Sequence, residues 1–192
     1  MATDSYMINL KFFIENDDSL DHENFIRVFH EWIKQGSLDD VLIDVADYRH
    51  VHHGPGVMLI AHYANLGLDQ QDGKTGLLYH AKRDVAGSLS EQLHRAFAYT
   101  LKAAEQLETE SCFNGQLKFQ SDSFLLRVHN RLQIGTETEK AQDQLNEALK
   151  DVFPALDWTL DRTRQEKGPL AFTASNAPST DSVKKLLEHL SP

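Results

Sequence analysis

Hydrophobic residues recur at two different periods along this chain, and the order of these periods constrains the fold more than any single motif does. Apolar side chains alternate over 8–14, as in a half-buried strand. A helical spacing follows, from a capping Asp21 to Gly36, with Phe29 and Trp32 on one face. Both periods return later in the chain. The sequence therefore predicts an α+β protein in which helices pack on a sheet.

The other predicted elements are placed by composition and by capping signals. Strands are expected at 41–48, 57–63, 76–82, 124–132, 156–164 and 170–175. Two capping boxes, a Ser or Thr followed three residues later by Glu, predict helices that begin near Ser88 and Thr136. A last helix is expected at 179–190. Because 57–61 is apolar on both faces, we expect this strand at the centre of the sheet.

The two halves of the chain, 6–110 and 117–192, show the same order of elements. Each reads strand, helix, strand, Gly-Pro turn, strand and helix, and the first half has one extra strand. The turns at Gly54-Pro55 and Gly168-Pro169 correspond. The order predicts a single domain built from two degenerate βαββ-type halves, with a mixed, mainly antiparallel sheet. Chance repetition within an α+β chain is the alternative.

Charge and composition exclude several classes of protein. The 192 residues contain 19 Lys and Arg against 29 Asp and Glu, which gives a net charge of −10. An acidic chain repels nucleic acid and anionic membranes. No apolar run approaches the ~20 residues of a spanning helix, and no secretion signal is recognisable. We therefore expect a cytoplasmic protein that binds neither nucleic acid nor membrane, and we leave a homodimer open.

Histidines are dense around the first Gly-Pro turn, where segment 50–56 reads HVHHGPG. His50 and His52 lie at i and i+2 of an extended segment, so their side chains point to the same side. They are candidate ligands for a divalent metal such as zinc, with a third ligand supplied from elsewhere. The alternative is that they are exposed loop residues, which we favour because no fixed-spacing ligand motif is present.

A four-residue hairpin loop, His53–Gly56, predicts that Asp47 lies opposite His62. Side chains paired across two strands lie within roughly 5 Å, so the carboxylate would fix the imidazole tautomer and raise its basicity. Asp47 and His62 are therefore the candidate catalytic pair, and an ordinary structural hydrogen bond is the alternative. In this register His50 and His52 lie on the other sheet face, so one site needs a bulge to use all four.

Basic side chains alternate along a later predicted strand and form a small cationic row suited to a carboxylate or phosphate. The candidate ligand-binding residues combine this row with the turn; they are Arg127, His129, Arg131, His53, Gly54 and Gly56. The alternative is a solvated strand face whose charge is compensated by neighbouring carboxylates.

Three functional hypotheses follow from these patterns. The first, which we favour, is a binding or regulatory protein without catalysis that holds a small anionic ligand where the two halves meet. The second is a metal-dependent hydrolase or isomerase in which His50 and His52 hold the metal. The third is a protein–protein adaptor that uses the long helix beginning at Ser88, and it requires apolar area exposed on that helix.

Overall fold

The computed structural model describes residues 7–16, 20–51, 54–82, 87–128, 138–163, 170–176 and 182–190. The strands in this part of the chain are β1 (Ile8–Ile14), β2 (Leu42–Asp47), β3 (Val57–Ala61), β4 (Ala64–Asp69), β5 (Gly76–Ala81), β6 (Phe119–Val128), β7 (Trp158–Arg162) and β8 (Leu170–Asn176). The helices in the same part are α1 (His22–Gln35), α2 (Leu89–Thr109), α3 (Thr138–Val152) and α4 (Val183–Glu188). Short 3-10 helices lie at Gln71–Gly73 and Ser111–Phe113.

All eight described strands form one sheet, in the order β2-β3-β4-β5-β1-β6-β8-β7. Every pairing between them is antiparallel. The α+β prediction is confirmed, whereas the expectation of a mixed sheet is wrong for these strands. A parallel pair needs a crossover between neighbouring strands. Here α1, α2 and α3 each connect strands that are not neighbours in the sheet.

The prediction that 57–61 forms the central strand is wrong. β3 is second from one edge, and β5 and β1 occupy the middle of the sheet. Met58 and Ile60 are only partly buried on one face of β3, whereas Val57 and Leu59 are buried on the other. The chain then turns at His62 and enters β4, a strand that the sequence analysis did not separate from β3.

The predicted ends of α1 and the predicted start of α2 are confirmed, whereas the capping residue Thr136 lies outside the described residues. The Asp21 side chain accepts a hydrogen bond from the backbone of Glu23 and begins α1, and Gly36 ends it with φ 63° in the left-handed region. Ser88 and Glu91 form the reciprocal capping box at the start of α2. Local sequence therefore fixes where α2 begins, and hence which of its side chains face the sheet.

The main core lies between the described helices and one face of the sheet. Phe97 of α2 is at its centre, with ring centroids 6.1 Å from Phe12, 4.9 Å from Phe124 and 4.9 Å from Phe153. These four rings are fully buried. α2 therefore packs on the middle of the sheet. Its position determines how much space remains on either side of the helix.

The other sheet face carries a small apolar cluster and several buried polar side chains: Phe13, Leu125, Ala171, Asn9, Lys11, Asp69 and Arg127. Lys11 Nζ donates to Asp69 Oδ2 at 2.7 Å and to the carbonyl oxygen of Gln71 at 2.8 Å. Both charged side chains are almost completely shielded from solvent. This ion pair ties the middle of β1 to the end of β4.

Candidate functional site

The structure corrects the predicted register of the β2–β3 hairpin. Asp47 lies opposite Val57, so His62 follows the far end of β3 and the predicted Asp47–His62 pair is not formed. The connection between the strands is longer than the four residues assumed, because β2 ends at Asp47 and β3 begins at Val57. Whether either residue acts in catalysis stays a prediction.

Asp47 has a different partner. Arg49 donates to both carboxylate oxygens of Asp47, from Nε at 2.9 Å and from Nη2 at 2.6 Å, and it also donates to Glu23 on α1. These hydrogen bonds hold the pKa of the Asp47 carboxyl well below its usual range. A carboxylate held this firmly in its ionised form is a poor general base at neutral pH.

His62 lies just after β3 at the other end of the hairpin. Its backbone N–H donates to the carbonyl of Val41 at 3.0 Å, and its ring meets the Tyr63 ring edge to face with centroids 4.6 Å apart. The β4–β5 register places His80 opposite Asn65. Burial lowers the pKa of His80, with Lys82 adding to the effect.

The turn residues are only partly described. Gly56 has φ 71°, and a Cβ at this position would lie 2.1 Å from the carbonyl oxygen of Leu68, so this glycine permits a close approach of β3 to β4. Gly54 belongs to the same turn, with its N–H donating to the Val51 carbonyl at 2.8 Å. Their predicted role in ligand binding stays a prediction.

Of the two predicted metal ligands, His50 and His52, the structure describes only His50. His50 follows β2, whereas His52 and the neighbouring His53 lie outside the described residues. Among the residues that the structure does describe, no group of three or more His, Cys, Asp or Glu side chains is arranged to hold a metal ion. A metal at His50 and His52 stays a prediction.

Arg127 is placed at the junction of the two halves. It lies opposite Asn9 of β1 on one side and Ala171 of β8 on the other, on the sheet face away from α2, and only 8% of it is exposed. His129 and Arg131 lie outside the described residues. The predicted cationic row therefore stays a prediction, with its first member buried within the sheet.

A cavity of about 520 Å³ opens on the other side of the sheet, between α2 and the ends of β1, β4 and β5. Its walls are mostly apolar and its rim is charged. The residues that line it are Ile8, Asp39, Asp40, Tyr63, Ala64, Tyr79, Ala81, Gln92, His94, Arg95, Ala98, Tyr99, Lys102 and Leu187. Its size falls within the range of about 300–1,000 Å³ that is common for small-molecule sites.

The sheet supplies one wall of this cavity and α2 supplies the other. Ala64 and Ala81 lie directly opposite each other on β4 and β5, and Tyr79 is two residues before Ala81 on the same face. Arg95, Tyr99 and Lys102 lie at i, i+4 and i+7 of α2, a spacing that puts all three on one side of the helix.

Two tyrosines meet at the side of the cavity. The rings of Tyr79 and Tyr99 pack edge to face with centroids 5.9 Å apart. Burial raises the pKa of Tyr79 to about 12, and burial, with Asp40 adding to the effect, raises the pKa of Tyr99 further above its ordinary value. Both hydroxyls are therefore protonated at neutral pH and can donate hydrogen bonds.

The charges at the rim are separated along the length of α2. Lys102 Nζ donates to Asp39 Oδ2 at 2.7 Å, so these two charges neutralise each other. Asp40 accepts backbone N–H groups from Val41 at 2.7 Å and Tyr63 at 3.0 Å. Arg95 lies two helical turns before Lys102, a distance of about 10 Å. The cavity thus has an acidic end and a cationic end.

None of the predicted site residues that the structure describes lines this cavity. The three tyrosines were not considered as candidates, because they are far apart in the sequence and converge only when α2 packs on β5. The one signal within the sequence was the spacing of Arg95, Tyr99 and Lys102 on a helix whose start was predicted correctly. A charged and aromatic stripe on a core-facing helix is a departure from ordinary amphipathic patterning.

Tyr99 provides the first test of this geometry. Its hydroxyl is buried and has no hydrogen-bond partner among the described residues. We expect Tyr99→Phe to raise the free energy of unfolding of the ligand-free protein by about 1 kcal/mol, because an unpaired buried hydroxyl is costly. Urea unfolding followed by circular dichroism measures the change.

Tyr79→Phe is the matched control for that substitution. Tyr79 lines the same cavity, but its hydroxyl is not among the buried polar atoms that lack a partner. We expect Tyr79→Phe to change the unfolding free energy by less than about 0.5 kcal/mol. A loss of stability in Tyr99→Phe would mean that the hydroxyl makes a stabilising hydrogen bond, and would contradict this description of the cavity.

Comparison of the sequence with protein families and with curated proteins found no match. Within the described ranges, no helix combines the length and the apolar character needed to cross a membrane. The exposed large hydrophobic residues of the same ranges lie between Val41 and Tyr63, and none of them is on α2. The feature that the adaptor hypothesis requires is therefore not found on the described helix.

Proposed function

We propose that this protein binds a small anionic organic molecule in the cavity between α2 and the sheet. The observation that carries the proposal is the cavity itself, which is large enough for a small molecule and is lined mainly by apolar side chains. Ligand sites commonly combine such a wall with a few polar groups that orient the ligand. The charged side chains at the rim are the polar groups here.

The preference for an anion is supported by Arg95. Arg95 is exposed at the rim of the cavity. Its positive charge lowers the pKa of Tyr79, whereas the negative charge of Asp40 raises that pKa. Lys102 is neutralised by Asp39. Arg95 is the cation that we assign to the ligand, because it lines the cavity and a guanidinium can bind a carboxylate through two parallel hydrogen bonds. An apolar body extending towards Tyr99 would bury its surface along the wall.

Binding is favoured over catalysis by the chemistry of the groups at the cavity. The raised pKa values of Tyr79 and Tyr99 keep both hydroxyls protonated at neutral pH, so neither supplies a phenolate that could act as a base. Asp40 already accepts hydrogen bonds from several backbone N–H groups. The proposal therefore assigns these residues to recognition.

We also propose that the fold arose by duplication of a βαββ-type unit. Two features support this. The first strands of the halves, β1 and β6, pair in the middle of the sheet. Outward from each of them lies the last strand of its own half, β5 beside β1 and β8 beside β6, followed by the earlier strands. Leu187 of α4 lines the cavity, so both halves contribute to the proposed site.

Filling the cavity tests the proposed function. Ala98 is a partly buried residue of α2 on the cavity wall, and Ala98→Phe replaces its methyl group by a ring. We expect the parent protein to bind the anionic dye 8-anilinonaphthalene-1-sulfonate at one site per chain, measured by fluorescence titration. We expect Ala98→Phe to weaken that binding by about 100-fold, equivalent to about 2.7 kcal/mol of lost binding free energy.

Ala155→Phe is the matched control, since Ala155 is exposed between α3 and β7 and is not part of the cavity wall. This variant should bind the dye as the parent does. Thermal unfolding of both variants confirms that they are folded. Equal dye binding by the parent and by folded Ala98→Phe, or no dye binding by the parent, would contradict the proposed function.

A further inference from the structure

We infer that the ligand of this cavity is an aromatic carboxylate, with its ring against the alanine floor and its carboxylate on Arg95. This inference rests on the proposed function and adds the chemical class of the ligand. Three observations carry it, namely the alanine side chains of the floor (Ala64, Ala81 and Ala98), the aromatic side wall and the position of the cation.

Alanine side chains line part of the cavity. Ala64 and Ala81 pair across β4 and β5, and Ala98 lines the same cavity from α2. Ala64 is 2% exposed and Ala81 is 8% exposed. Methyl groups leave more room for a ligand than larger side chains would, and a planar ring can contact them over its whole face.

The side wall is aromatic. Tyr79 and Tyr99 already meet edge to face, and Tyr63 contributes a third ring, which is 51% exposed at the mouth. A ligand ring beside them gains the same kind of offset or edge-to-face contact, which favours aromatic over saturated ligands of equal size. Three tyrosines at one small cavity are a larger aromatic surface than an aliphatic ligand requires.

The cation lies close to Ala98 along α2. Arg95 and Ala98 are three residues apart, so both are on the same side of the helix. The rise between them is about 4.5 Å, which a short linker of one or two methylene groups between ring and carboxylate spans. Asp40 also lines the cavity and repels a second negative charge, so a monoanion is favoured over a dianion.

Three compounds of nearly equal size test the class: 3-phenylpropionate, 3-cyclohexylpropionate and 3-phenylpropan-1-ol. Isothermal titration calorimetry should give the tightest binding for 3-phenylpropionate, by about fivefold over the cyclohexyl acid, because aromatic contacts discriminate by about that factor. The neutral alcohol should bind about tenfold more weakly than 3-phenylpropionate, since it lacks the charge-assisted pair with Arg95.

Arg95→Gln separates the two parts of the inference. It should weaken binding of 3-phenylpropionate about tenfold and leave 3-phenylpropan-1-ol unchanged, whereas Arg162→Gln, which changes an exposed arginine on β7, should affect neither. Equal or tighter binding of the cyclohexyl acid would overturn the aromatic class.

The outcomes for the class and for the function are distinguishable. One outcome is that none of the three compounds binds, while the parent protein binds the dye and Ala98→Phe does not. In that case the aromatic-carboxylate inference fails and the proposed function stands. If the dye and all three compounds fail to bind the parent protein, both fail.

Discussion

Replacing Lys11 by Met lowers the free energy of unfolding by about 3–5 kcal/mol, the range measured when one partner of a buried ion pair is removed. Lys11 is fully buried, and its ammonium group donates to Asp69 at 2.7 Å. Without it, the Asp69 carboxylate is left in the sheet with no compensating charge from Lys11. Urea unfolding at neutral pH, followed by circular dichroism and by tryptophan fluorescence, measures the loss.

Lys74→Met is the matched control for this prediction. Lys11 and Lys74 both lie over the Phe13 ring, with Nζ at 5.9 Å and 5.2 Å from its centroid. Because Lys74 is exposed, its replacement should change stability by less than about 0.5 kcal/mol. The double substitution Lys11→Met with Asp69→Leu removes both charges together and should recover most of the loss. A loss below about 1 kcal/mol in Lys11→Met would contradict a buried, paired charge at this position.

We expect Phe97→Ala to have the second large effect and to lower the free energy of unfolding by about 3–5 kcal/mol. The Phe97 ring is fully buried and lies within 6.1 Å of three other aromatic rings, so its removal leaves a cavity that the rigid sheet cannot fill. Urea unfolding measures this loss. An unchanged slope of the unfolding free energy against urea concentration would show that unfolding remains two-state.

Phe97→Leu keeps most of the volume and should lose distinctly less stability than Phe97→Ala. Because Phe97 anchors the segment of α2 that carries Ala98 and Tyr99, we also expect folded Phe97→Ala to bind the dye more weakly than Phe97→Leu does. Equal stability of the two variants would mean that α2 is not held by this aromatic cluster.

The sequence predicted the elements whose signals are local. The capping box at Ser88 and Glu91 and the left-handed Gly36 depend on side chains within one helical turn, and both appear in the structure as expected. Such features need no knowledge of distant parts of the chain.

The hairpin register was wrong because nothing local determines it. Pairing of Asp47 with Val57 depends on how β3 packs between β2 and β4, and β4 was itself hidden by its composition. Its sequence, ANLGLD, contains Asn, Gly and Asp, which are depleted in strands. A strand in the sheet interior tolerates Asp69 because its carboxylate is paired with Lys11.

The cavity could not be predicted from the sequence, because its walls come from segments far apart in the chain. Ala64 and Ala81 become a floor only through the register of β4 and β5, and Tyr79 meets Tyr99 only once α2 crosses β5. Histidines and arginines were predicted as site residues from their chemistry alone. Packing, not residue type, determines which side chains surround a space in which a ligand can be held.

The location of a bound anion tests the central claim most directly. A crystal structure of the protein with 8-anilinonaphthalene-1-sulfonate is expected to place the dye between α2 and the ends of β4 and β5, with its sulfonate near Arg95 and its rings beside Tyr79. Dye bound at the Gly54–Gly56 turn or beside Arg127, with the cavity empty, would contradict the account and favour the sites first expected from the sequence.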